Sequence, residues 1–231
     1  MMSRTLPTHP RAPRILTRGR WLGLVPSISC WILLLTLLGC ASSPEVIPLE
    51  IRQGRPMLKQ TLPEGQRLNV AVIPLEDQRA DTSRVGHRRD WLGDETTFTI
   101  EGGTLGDILA QMIVDYLKQR QGWNAWIVKP GIVPPEGGPD VTLSGRVVDF
   151  SATAEPGFGR TNMTVKERFL ITGQHPVDHR SVVVTVDATE SSWAFWFEPR
   201  DLEALLNATL RKDLEQFRSQ VVVEERRLRL Q

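Results

Sequence analysis

The chain has 231 residues, with 28 Lys plus Arg against 27 Asp plus Glu, a hydrophobic fraction of 40% and two cysteines. A formal charge of +1 excludes the cationic surplus by which sequence-independent nucleic-acid binders release counterions. Two cysteines exclude a disulfide scaffold.

Residues 1–39 contain Arg4, Arg11, Arg14, Arg18 and Arg20 and no Asp or Glu, and their apolar part is densest from Ile28 to Leu38. Basic residues followed by an apolar run is the charge order of a secretory signal. The alternative is an uncleaved transmembrane helix, since Trp21 to Leu38 approaches the roughly 20 residues needed to span a bilayer. Pro26, Ser27 and Ser29 interrupt that run, and no charged flank follows it. The run closes on Leu37-Leu38-Gly39-Cys40 and opens onto Ala41-Ser42-Ser43-Pro44.

This junction resembles the lipobox of bacterial lipoprotein signal peptides. The resemblance implies a signal peptide over 1–39 and a Cys40 whose sulfur carries diacylglycerol and palmitate-type acyl chains. By likeness to enterobacterial lipoproteins, Ala41 rather than Asp implies the periplasmic face of the outer membrane, with inner-membrane retention as the alternative. Several acyl chains on one cysteine make an essentially permanent anchor. Removing five arginines and no acid turns the formal charge from +1 to −4. Cys30 is lost and Cys40 is acylated, so the expected cofactor set is empty apart from that lipid.

From Cys40 to residue 66 the chain carries Pro44, Pro48, Pro56, Pro63, Gly54 and Gly65 with no sustained apolar period. This reads as a linker, extended at about 3.1 Å per residue; the alternative is that Val46 to Ile51 packs on the domain as an edge strand. Residues 67–231 then form the expected periplasmic domain. Leu68 to Leu75 is rich in β-branched residues and predicts a strand. Asp77 to Asp90 reads as a polar loop, and Thr96 to Glu101 as a short strand.

The clearest helix begins at Thr104, a predicted N-cap with Asp107 in capping-box position. Leu105, Ile108, Leu109, Met112, Ile113 and Tyr116 then recur at helical spacing, and Gly122 is the expected stop. Trp123 to Val128 predicts a strand, and Lys129 to Pro139 a surface loop. Strands follow in Val141 to Phe150, Met163 to Ile171 and Ser181 to Glu190, joined as antiparallel hairpins. A second amphipathic helix starts near Pro199 with Asp201 as the expected cap. Val221 to Val223 closes the sheet or ends the helix, and Glu224 to Gln231 reads as a charged tail. The order implies an α+β fold, a single domain with a mainly antiparallel sheet and two helices on one face.

Few motifs carry chemistry. His175-Pro176-Val177-Asp178-His179 offers two imidazoles and a carboxylate, but Pro176 prevents the helix that would align them and no third ligand is near; a hairpin turn is expected and no metal. Gly102-Gly103-Thr104-Leu105-Gly106 lacks the spacing and lysine of a P-loop, so a capped turn suffices. No Gly-x-Ser-x-Gly elbow occurs, and Glu224-Glu225 and Asp94-Glu95 sit in polar segments where nothing raises a pKa. The expectation is a protein that is no enzyme and has no catalytic residues.

Two segments are candidates for partner binding. Arg79, Arg84, Arg88 and Arg89 can dock on carboxylates or phosphates, or be satisfied internally by Asp77, Asp81 and Asp90. In Trp193-Ala194-Phe195-Trp196-Phe197 both sides of an extended segment carry rings, which are core on both faces or, with Trp193 and Trp196 exposed, an interface.

The lipobox, the strand ending in Val72-Ile73-Pro74-Leu75-Glu76-Asp77-Gln78-Arg79, the Val85-Gly86 segment, the first helix and Leu206-Asn207-Ala208-Thr209-Leu210 in the last helix together resemble the YajG-like family of small envelope lipoproteins, over roughly Arg67 to Gln220. Curli-secretion-type and penicillin-binding-protein-activator lipoproteins share the same βα start. The resemblance implies an envelope protein with no established catalytic residues. Its expected partners are the membrane, through acyl chains, and another envelope protein, with no nucleic acid. An accessory subunit of a peptidoglycan synthase or an envelope transporter is the second reading, and an oligomeric secretion channel the third.

Overall fold

A computed structural model describes residues 45–52, 67–120, 122–129, 131, 134, 137–224 and 227–230. All belong to one compact unit, Pro44–Gln231; the expected signal peptide over 1–39, Cys40 and residues 53–66 lie outside the described residues. The elements in chain order are β1 (Val46–Leu49), β2 (Asn69–Val72), β3 (Glu76–Asp77), β4 (Gly86–Arg89), β5 (Glu95–Ile100), α1 (Leu105–Arg120), β6 (Asn124–Ile127), β7 (Val141–Gly157), β8 (Arg160–Gln174), β9 (Ser181–Ala194), α2 (Pro199–Gln220), β10 (Val221–Glu224) and β11 (Arg227–Leu230). Among them no helix is long and apolar enough to cross a membrane.

The 17-residue strand β7 is the spine. One of its edges pairs along its length with β8, which pairs in turn with β9, all antiparallel. Its other edge is shared by three short parallel strands in succession: β2 opposite Val141 to Leu143, β3 opposite Arg146 and Val147, and β4 opposite Ala152 to Ala154. Beyond β2 lies β6, and beyond β4 lie β5 and then β1. The expected α+β architecture holds, with the longest ladders antiparallel and the short ones mixed, parallel for β2, β3 and β4 on β7, β6 on β2 and β1 on β5, antiparallel for β4 on β5.

Period-two burial produces these ladders. On β8 Met163, Val165, Phe169 and Ile171 are buried on alternate positions. On β7 the buried set is Val141, Leu143 and Val147, then Phe150, Ala152 and Ala154. The change of parity falls at a β-bulge between Val147 and Asp149, where Val148 is extra. A bulge re-aims every later side chain, so both halves of the strand face the helices.

Both helices lie on that face. Thr104 caps α1: the Asp107 N–H donates to its Oγ1 at 3.2 Å and its hydroxyl donates to the Asp107 carboxylate at 2.7 Å. Gly106 has a packing role, because a Cβ there would stand 1.9 Å from the Leu75 carbonyl oxygen. Helix α2 departs from expectation at its start. Glu198 is the cap and Pro199 the first helical residue, while Asp201 reaches back to accept the Glu198 N–H at 3.3 Å. Leu202, Leu206, Leu210, Leu214 and Phe217 form its buried stripe.

Four further expectations are corrected. The stretch read as a linker contributes β1, whose Leu49 is fully buried and whose far end is tied to α2 by the Arg52 N–H donating to Asn207 Oδ1 at 2.7 Å and by Asn207 Nδ2 donating to the Glu50 carbonyl at 3.1 Å. Two side-chain bonds and a buried leucine outweigh the extended-coil preference of its prolines. The Asp77 to Asp90 loop holds β3 and β4, polar strands held by backbone pairing on both sides of β4. The second strand ends at Val72, shorter than its apolar run; the Ile73 N–H still donates to the Leu143 carbonyl at 2.8 Å, and Pro74, with no N–H to give, follows. Finally, the charged tail forms β11, antiparallel to β10, because Leu228 is buried against the domain.

Candidate functional site

The register brings the aromatic residues to one end of the sheet. Because β4 runs parallel to β7 with Arg88 opposite Ala154, the β4–β5 turn with Trp91 and Leu92 emerges where β7 ends. The β7–β8 turn places Phe158 there, and β9 ends there too, with Trp193 opposite Asn162. Trp91, Leu92, Phe158, Phe195 and Trp196 all point into solvent, Trp196 at 87% exposure and Trp193 at 53%. Trp193 and Phe195 meet edge to face at 5.3 Å, and the Arg160 guanidinium lies 5.9 Å from the Trp193 ring.

The Trp193 to Phe197 segment therefore is not core on both faces. Of its four rings Phe197 packs against the core, as does Ala194; the Phe197 ring lies 6.1 Å from Phe98 with the Arg88 guanidinium 4.8 Å over it. Single exposed apolar residues are ordinary; here the register gathers several at one end of the sheet. Trp193 and Trp196 had a signal in the sequence. Trp91, Leu92 and Phe158 had almost none, because each sits in a turn whose position in space depends on register.

The four arginines separate. Arg79 is buried and gives two bonds to Asp77, at 2.9 and 2.8 Å, and two more to the carbonyls of Arg84 and Phe150. This guanidinium holds the Asp77 carboxyl below its usual range, and Arg79 is withdrawn from any partner surface. Arg84 bridges Asp81 at 2.8 Å and Glu95 at 2.9 Å. Arg88 is half-buried over Phe197, and Arg89 is exposed beside the aromatic end.

No protein-family model matches the chain, and no curated protein is similar to it at a significant level. Its structure is similar to that of a Xanthomonas campestris protein of family model DUF330, at 13% identity over 74% of this chain and 91% of that one, with a TM-score of 0.46. It is also similar to a Neisseria meningitidis lipoprotein, at 11% identity over 63% and 96% with a TM-score of 0.33. A third is the PelC dodecamer of Paraburkholderia phytofirmans, at 13% identity over 69% and 94% with a TM-score of 0.34. Bacterial lipoproteins are thus among the proteins whose structures it resembles.

Inside the domain the unusual feature is a pair of acids. Glu167 on β8 and Asp213 on α2 are 1% and 3% exposed. As carboxylates their four oxygens meet no donor among the described residues, so the bond between them exists when one carries a proton. Burial first, and then Asp213, pushes the Glu167 carboxyl up to about 10. Burial pushes Asp213 up to about 6, opposed by the bond from Glu167 and by Lys212. Beside them a cavity of about 20 Å³ lies between the helices, lined by Leu109, Met112, Ile113, Phe169 and Leu210, with room for one water.

The other motifs form turns. His175 Nδ1 lies 3.0 Å from Asp178, which also faces Arg227 at 3.4 Å, and among the described residues no cluster of three metal-ligating side chains occurs. At the Gly102 to Gly106 turn, Thr104 first and then Lys129 hold the Asp107 carboxyl below its usual range. That helix start already has its own anion.

Proposed function

We propose that this chain is a non-catalytic lipoprotein of the bacterial cell envelope, anchored through acyl chains on Cys40 at the periplasmic face of the outer membrane, whose α+β domain binds another envelope component through the aromatic end of its sheet. The observation that carries the reading is the exposed group Trp91, Leu92, Phe158, Trp193 and Trp196, flanked by Arg89 and Arg160. The order of elements and the Asp77 to Arg79 turn support placing it beside the YajG-like lipoproteins.

An accessory subunit reaching across the periplasm would need a long tether, and β1 leaves four residues between Cys40 and Glu45. A secretion channel would need an apolar lipid-facing row alternating with a polar one; on β8 the face away from the helices presents Asn162, Lys166 and Arg168 to solvent.

Two measurements test the proposal. Labelled palmitate should enter the wild type and not a Cys40→Ser form. A photo-crosslinking amino acid at position 196 or 89, activated in intact cells, should capture an envelope protein or lipid, whereas one at exposed position 183 on β9 should not. Equal capture at all three positions would leave the aromatic end without a special role.

A further inference from the structure

We infer that the component met by the aromatic end is the bilayer itself, with Trp91, Leu92, Phe158, Trp193 and Trp196 seated at headgroup level of the membrane that holds the anchor. The inference rests on the reading of Cys40 as the anchor.

The chain enters the sheet close to this end. The Thr97 N–H donates to the Glu45 carbonyl at 2.8 Å, and Val46 pairs with Thr97, which pairs with His87, which pairs with Thr153. Glu45 therefore stands level with Ala154 on β7. From that level the hairpin projects four residues to Phe158, about 13 Å at the strand rise. The opposite end, at Val141, is thirteen residues away, about 43 Å. Cys40 is five residues before Glu45, and fully extended chain spans at most about 18 Å over that length. Such a tether brings the aromatic end to the bilayer surface and cannot bring the other end there.

The side chains suit that position. Indole and phenyl rings with one apolar body and, for Trp, one polar N–H settle where hydrocarbon meets water. The charges around them are mixed, Arg89, Arg160 and Arg200 beside Asp90, Asp94 and Glu155, so the attraction is to the interface rather than to anionic headgroups. Partition should consequently be the same for zwitterionic and anionic lipid.

The test uses the full chain, produced and processed in a secreting bacterium and reconstituted by its own anchor into phosphatidylcholine vesicles whose acyl chains carry bromine, a short-range quencher of tryptophan. Trp91, Trp193 and Trp196 should be quenched, while Trp123 and Trp126, at the opposite end, stay bright. A W91F/W193F/W196F chain should lose the quenching, and Phe158→Asp should reduce it roughly twofold with unchanged thermal unfolding. Replacing half the lipid by phosphatidylglycerol should change nothing. Flotation with the vesicles but no quenching, or equal quenching in the triple variant, overturns the inference and leaves the anchor standing. No flotation and no acyl mass on Cys40 overturns both. A crosslinker at position 158 that captures protein and no lipid in intact cells assigns the end to a protein partner instead.

Discussion

Glu167 and Asp213 face each other across the β8–α2 interface, and neither finds a donor among the described residues. Two ionised carboxyls cannot share such a site, because desolvation and mutual repulsion both favour the neutral form. Protonated Glu167 donating to Asp213 is the arrangement that satisfies both, in agreement with the direction each is pushed. A carboxyl whose folded value is raised gives its full stability below its unfolded value of about 4.5 and loses it as pH climbs through the folded one. The pair therefore stabilises the domain in acid and progressively less from about pH 5 upward.

The test is a comparison across pH. Glu167→Gln keeps a donor and cannot ionise, so its unfolding free energy should rise relative to the wild type by on the order of 1 kcal/mol per pH unit above pH 5. An E167Q/D213N chain should be flatter still, with two amides that bond to each other at every pH. Denaturant unfolding between pH 5 and 9 measures the difference, and parallel curves would mean that the acids are not joined.

Arg79 gives a contrast with Arg89. Its four bonds go to Asp77 and to two backbone carbonyls, so Arg79→Ala strands acceptors in a half-buried place. The expected loss is about 2 to 3 kcal/mol. Arg79→Lys should recover less than half, since an ammonium has no planar fork to reproduce the geometry. Arg89→Ala, at an exposed strand end, should stay within about 0.5 kcal/mol. Equal effects at 79 and 89 would show that the buried pair contributes nothing.

The helices and the long hairpins were legible in the sequence because their periods are local: the α1 stripe and the alternation on β8 and β9 need no partner to be recognised. What escaped is what depends on pairing. Gly86-His87-Arg88-Arg89 has no apolar pattern and becomes a strand because β5 and β7 supply its bonds from both sides. Leu49, among prolines, becomes core because β5 and α2 are there to receive it. Glu167 reads as an interruption of an apolar face and turns out to be half of a buried pair whose other half is 46 positions away on a helix. The aromatic end was visible in Trp193 and Trp196, while Trp91 and Phe158 join it through register alone.

Gly106 separates local propensity from packing. In an exposed helix, Gly→Ala stabilises by about 1 kcal/mol. Here the new methyl carbon would lie 1.9 Å from the Leu75 carbonyl oxygen, which forces α1 away from the strand end and weakens the bond from the Leu75 N–H to the Gly106 carbonyl, now 3.3 Å. Gly106→Ala should therefore destabilise by about 1 to 3 kcal/mol, the range for overpacking. A stabilised variant, seen as a higher melting temperature, would mean that the helix start gives way freely.

If Cys40 is the anchor, whether residues 45–52 are tether or fold decides how close the domain sits to the membrane, and Leu49 is the residue that tells. It is fully buried on β1, between β5 and the α2 face that carries Asn207. A leucine in a solvated linker can be replaced at no cost. One that fills a core position costs its transfer free energy and the cavity left behind, about 2 to 4 kcal/mol for Leu→Ala. Leu49→Ala should lower stability by that amount, and Asn207→Ala by about 1 kcal/mol more through the loss of its two bonds to residues 50 and 52 and of a third to the Glu203 carbonyl. The two losses should couple, because both substitutions loosen the same strand against the same helix. Hydrogen exchange supplies the independent check: the Glu101 N–H, which donates to the Leu49 carbonyl at 3.1 Å, should be protected in the wild type and exposed in the variant. An L49A chain as stable as its parent, with unchanged exchange at Glu101, would return the segment to a free linker and remove the short reach on which the membrane contact depends.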